Sequence, residues 1–80
     1  MTLQQLKYVI VIADSGSVNS AAKNLYLSQP SLSSAVRDLE KEIGFELFHR
    51  SNRGVTITAE GEEFLNYARQ VCQQYALLED

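Results

Sequence analysis

Eighty residues contain one cysteine, one histidine, one proline and no tryptophan. Cys72 has no partner for an internal disulfide, and together with His49 it is too small a donor set for a zinc site. No metal or cofactor is expected. With so few nucleophilic and basic groups, and no glycine-rich loop to cradle phosphates, no catalytic constellation can be assembled, which argues against an enzyme. No run of eighteen apolar residues is present, and the first residues lack the basic flank and apolar stretch of an export signal. Neither a membrane span nor secretion is expected, and the chain reads as cytoplasmic. At 45% apolar content the sequence can fill one small core, so it is expected to be a single domain that pairs with a partner or belongs to a longer protein.

Positive charge is also scarce. The net charge of -3 argues against a nucleic-acid partner as an average, because affinity for DNA comes largely from neutralised phosphates. The distribution is uneven, however. Residues 1 to 57 hold Lys7, Lys23, Arg37, Lys41, Arg50 and Arg53 against five acids, whereas residues 58 to 80 hold Arg69 against Glu60, Glu62, Glu63, Glu79 and Asp80. A balance of +1 in the first part still predicts only modest non-specific affinity for one copy.

The hydrophobic spacing divides the chain into four helical stretches and a hairpin. Thr2 with Gln5 forms a capping-box pattern ahead of Leu3, Leu6, Ile10 and Ala13, suggesting a helix from about 3 to 14. The β-branched run Val9 to Ile12 favours extended structure instead, so the residues leave a strand open as the alternative. Ser17 can cap a short second helix carrying Ala21, Ala22 and Leu25 inward. Ser28 and Pro30 start a third helix on which Leu32, Val36, Leu39 and Ile43 recur at helical spacing, with Gly44 as its stop. Phe45 to Ile57 then reads as a small hairpin around Ser51 to Gly54. Thr58 can cap a last helix, and Gly61, a poor interior helix residue, suggests a close approach by another element. Phe64, Ala68, Val71, Tyr75 and Leu78 keep a 3.5-residue period over about two heptads, widened by Leu65 and Cys72. That stripe suits a dimer seam or, equally, an internal core.

Two helices joined by a tight turn, the second exposing short hydrogen-bonding side chains, have the geometry of a helix that enters a DNA major groove. On the polar side of the third helix, Gln29 can pair bidentately with adenine, and Ser33 and Ser34 are short enough for a deep approach. Pro30 offers an apolar edge to a thymine methyl, and Arg37 and Lys41 lie further along, better placed for phosphates. Arg53 at the hairpin tip could reach a minor groove. Each has a plainer alternative: a solvated helix face, a surface turn, and for Arg50 an ion pair with Glu46 or Glu40 in place of a phosphate. The competing function is a winged helix that docks on a protein.

The segment Ser17 to Gly61 resembles the N-terminal domain of LysR-type transcriptional regulators. It carries AA-x-x-L from Ala21 to Leu25, SQPSLS from Ser28 to Ser33, LE-x-E-x-G from Leu39 to Gly44, LF-x-R from Leu47 to Arg50, and T-x-x-G from Thr58 to Gly61. Their order and spacing together make the likeness specific. The resemblance implies a mainly α fold with a small β-hairpin wing: a winged helix-turn-helix over residues 1–57, then a dimerising linker helix over 58–80. It implies that residues 3 to 13 are helical, and that Ser28, Gln29, Pro30, Ser33, Arg37 and Arg53 contact bases or phosphates; Ser17 and Arg50 are further candidate DNA contacts. Position 34, often arginine in the family, is Ser34 here, so the preferred operator is expected to differ in its inner bases. The implied partners are double-stranded DNA carrying an inverted-repeat operator and a second copy of the chain. A small-molecule effector is implied only for a C-terminal domain outside these eighty residues, of which the sequence is then a truncated part.

Overall fold

Thr2 opens the first helix by accepting from the Gln5 backbone N–H at 3.1 Å, while Gln5 Oε1 accepts from Thr2 N–H at 2.9 Å. This reciprocal cap satisfies donors that a helix start otherwise leaves free. A computed structural model describes residues 1–79. In chain order these form α1 (Leu3–Ser15), α2 (Val18–Leu25), α3 (Gln29–Ile43), β1 (Phe48–Ser51), β2 (Gly54–Ile57) and α4 (Ala59–Glu79). The β-branched stretch of α1 is helical because Val9 and Ile12 are completely buried against the other helices, and tertiary packing outweighs local strand propensity.

Caps and small residues set the angles. Ser17 and Ser28 accept from the N–H groups of Ser20 and Ser31 and so start α2 and α3. Ala21 and Ala22, both buried, let α2 pack closely on the core. Around them lie Val9 and Ile12 from α1, Val18 from α2, Leu32, Val36 and Leu39 from α3, Leu47 and Phe48 before and in β1, and Leu65 from α4. Between α2 and α3, Tyr26 takes a left-handed conformation with φ 57° and is 96% exposed.

The hairpin pairs Phe48 with Ile57 and Ser51 with Gly54, leaving Asn52 and Arg53 at the tip. It begins later than Phe45. The segment before it is irregular and held by side chains: Glu40 Oε2 accepts from Leu47 N–H at 2.7 Å, and Thr58 Oγ donates to the Glu46 carbonyl at 2.7 Å. Thr58 also caps α4 by accepting from Gly61 N–H at 2.9 Å. The close approach expected at Gly61 is real, since a Cβ there would overlap the Leu47 carbonyl.

α4 runs antiparallel to α1. Arg69 Nη2 donates to Asp14 Oδ1 at 2.7 Å near the end of α1, and Lys7, near its start, sits 5.5 Å from the centre of the Tyr75 ring. The expected stripe on α4 therefore divides in two. Ala68 is 3% exposed and belongs to the chain's own packing, a correction to its assignment to a dimer seam. The cause is α1, which covers this part of α4. Phe64 is half-buried with its ring edge-on to Phe45 at 6.3 Å. Beyond them Val71, Tyr75 and Leu78 are exposed, as are Tyr67 and Leu77. Among the described residues no helix is long and apolar enough to cross a membrane.

Candidate nucleic-acid interface

The start of α3, the start of α2 and the hairpin face one groove of about 390 Å³. Each enters for a local reason. Ser17 and Val18 are at the capped start of α2, Gln29 is the first residue of α3, and the tight turn after Ser51 projects Arg53 from the sheet. Arg50, Asn19 and Asn52 complete its polar lining, and no carboxylate is among the lining residues. For a chain of net charge -3, this is a local inversion of sign on a surface rich in hydrogen-bond donors.

Ser17, Gln29, Arg50 and Arg53 are brought together here. Ser28, Pro30 and Ser34 are exposed on or beside the first turns of α3 without lining the groove. Arg37 opens on a second groove with His49, Arg50, Glu40 and Glu46. Ser33 departs from expectation: it is 9% exposed, and its hydroxyl accepts from Arg50 Nη1 at 3.1 Å. It is therefore not an open base contact. The spacing from Leu32 to Val36 places position 33 at the edge of the buried face, and the hairpin folds over it. The alternative ion pair of Arg50 with Glu46 or Glu40 does not form among the described residues.

Asn19 and Asn52 were not singled out from the sequence. Asn19 had a readable signal, since it follows the Ser17 cap in a first helical turn, where backbone and side-chain donors face outward. Asn52 had only its place beside Arg53.

Three packed helices, a two-stranded wing and a donor-rich groove between wing and third helix define a winged helix-turn-helix transcription-regulator domain. Residues 3–62 match the family model for bacterial regulatory helix-turn-helix proteins of the lysR family. The chain belongs to that family. It is 44% identical over 71 residues to the transcriptional regulator TfdT of Cupriavidus pinatubonensis, covering 89% of this chain and 31% of TfdT. To ClcR of Pseudomonas putida it is 41% identical over 71 residues, covering 89% of this chain and 24% of ClcR. The chain thus spans less than a third of the length of these curated relatives. Its fold superposes on the CbnR DNA-binding domain in a crystal structure with DNA at a TM-score of 0.95 and 39% identity, covering all of this chain and 92% of that one. The corresponding BenM complex with benA site 1 DNA gives 0.92 and 33%, covering 98% and 88%.

Proposed function

We propose that the chain reads double-stranded DNA as a dimer on an inverted-repeat operator, with α3 in the major groove and the wing in the adjacent minor groove. The observation that carries this is the carboxylate-free groove that joins Gln29 to Arg50 and Arg53 on an otherwise acidic chain. Gln29 is the base reader, able to donate and accept at adenine. Pro30 and Ser34 flank it, Ser17, Ser28 and Arg37 meet the backbone, and Arg53 enters the minor groove. Residues 1–57 are the reading unit on this view. Residues 58–80 serve as linker and seam, through the exposed Val71, Tyr75 and Leu78 with Phe64 at the margin. Control by a small molecule belongs to sequence beyond these residues. The solved CbnR and BenM complexes with DNA support the partner class.

Selection of bound sequences from a random duplex pool, followed by footprinting, tests the reading. The winners should carry a two-fold related motif, and affinity should fall linearly with the logarithm of salt concentration. Recovery of no shared motif, with binding indifferent to salt, would point to a protein as the partner.

A further inference from the structure

Arg50 reaches from β1 back onto α3, where its Nη1 donates to the hydroxyl of Ser33 at 3.1 Å. Ser33 is nearly covered, so it has little surface to offer a base. A guanidinium carries five N–H donors in a rigid fork. Among the described residues Ser33 is the only side chain that Arg50 engages, and the charge stays unpaired even though Glu40 and Glu46 line the groove beside it. Glu40 is committed instead to the backbone N–H of Leu47.

The position of this unpaired cation is informative. Arg50 lines both grooves, with Gln29 and Arg53 on one side and with Arg37 on the other. It stands at the junction of the helix and the wing. In duplex DNA the element that separates a major groove from the neighbouring minor groove is a sugar-phosphate strand. A protein with a helix in one and a wing in the other must straddle that strand, and the group it meets at the junction is a phosphate.

We infer that Arg50 clamps the phosphate of the strand lying between α3 and the wing, and that Ser33 is a positioning residue that holds the guanidinium for it. The inference rests on the proposed reading of DNA by this surface. Ser33 fixes one arm of the fork, and the remaining donors engage two phosphate oxygens, the bidentate geometry that guanidinium favours and ammonium cannot copy. Ser33 contributes to affinity only through Arg50.

Fluorescence anisotropy of the eighty-residue chain on a labelled operator duplex from the pool selection, repeated across a potassium chloride series, tests this. Circular dichroism melts of each variant verify folding. Arg50→Ala should weaken binding about ten-fold, equally on matched and singly substituted duplexes, and lower the salt slope by about one per copy. Arg50→Lys should keep the slope while losing most of that affinity. Ser33→Ala should weaken binding about three-fold with the slope intact, Ser33→Thr should restore it, and Ser33→Ala should add nothing in the Arg50→Ala background. An unchanged slope in Arg50→Ala, or a loss confined to one base position, overturns the clamp. An equal cost of Ser33→Ala in both backgrounds overturns the positioning role. Absence of salt-dependent duplex binding by the unaltered chain would instead sink the DNA reading itself, and the clamp with it.

Discussion

Val55, on the second strand of the wing, donates its backbone N–H to the carbonyl of Gly16 at 3.0 Å. The wing is thereby tied to the turn between α1 and α2, in addition to its link to α3 through Arg50 and Ser33. Gly54 makes this approach possible: its φ is 123°, and a Cβ at this residue would overlap the Gly16 carbonyl. Such a conformation is essentially restricted to glycine.

Gly54→Ala should therefore cost about 1–3 kcal/mol, from backbone strain and overpacking together. In a domain of this size each kcal/mol lowers the melting midpoint by about 4–8 °C. The displaced wing should also weaken binding on every duplex alike, because Arg53 and Arg50 move with it. A melt and an anisotropy titration on the same sample check both. An unchanged midpoint would show that the contact at Gly16 does not constrain the wing.

Gln29→Ala should act differently. On the proposed reading it removes a bidentate base contact and leaves the phosphate contacts in place, so it should cost about 1–3 kcal/mol at one base position in each half-site. Competition with singly substituted operators resolves that position. Uniform weakening across all of them would reduce Gln29 to a residue that only orients the protein.

The Asp14–Arg69 pair makes a pH-dependent contribution to the packing of α4 on α1. The hydrogen bond from Arg69, aided by its charge, holds the Asp14 carboxyl below its ordinary value of 3.8, and slight burial opposes the shift. A carboxyl whose folded value is depressed adds stability above its unfolded value and loses it as pH falls through the folded one. Asp14 and Arg69 side chains are 61% and 40% exposed, so solvent and salt screen the pair and its worth is under about 1 kcal/mol. Asp14→Asn should lower the melting midpoint slightly at pH 7, and the difference from the unaltered chain should vanish as pH falls below 3.8 and through the depressed folded value. A difference that persists at pH 2 would assign the effect to something other than charge.

Much of the fold was legible because local signals and burial agree. Thr2 with Gln5, Ser17, Ser28 and Thr58 all start helices, and Leu32, Val36 and Leu39 all face inward. The candidate interface was legible as residue types near the start of α3, but not as an arrangement. The burial of Ser33 depends on Arg50, seventeen residues away, and on a wing fixed by contacts to Gly16 and Leu47. Such long-range contacts have no periodicity to read. The 3.5-residue stripe likewise contained no sign that α1 would cover Ala68 and leave Val71 free. Tyr26 is the opposite case: a left-handed φ at a bulky residue runs against local preference, and no propensity scale points to it.

The exposed end of α4 leads to the last prediction. A helix of 21 residues is about 32 Å long, and α1 covers only one side of it, meeting Arg69 and Tyr75 and leaving Val71 48% and Leu78 84% exposed with Tyr67 and Leu77 nearby. Apolar side chains at helical spacing, left uncovered by the chain's own core, are the anatomy of a helix that pairs with another copy. Sedimentation should show a concentration-dependent dimer, and Val71→Glu should shift it to monomer without lowering the melting midpoint extrapolated to low concentration. Two copies related by a two-fold axis place their α3 helices on half-sites whose centres are about one helical turn apart, or a multiple of it. Because each copy carries few cations, a single half-site should be held weakly and the pair far more tightly. Inserting about five base pairs between the half-sites turns one of them to the far face of the duplex and should weaken binding sharply, while about ten should weaken it less. In Val71→Glu that phase dependence should disappear, since uncoupled copies bind each half-site independently. Equal affinity for one half-site and two in the unaltered chain, indifferent to the insertion, would leave a monomeric reader with the exposed stripe serving another purpose.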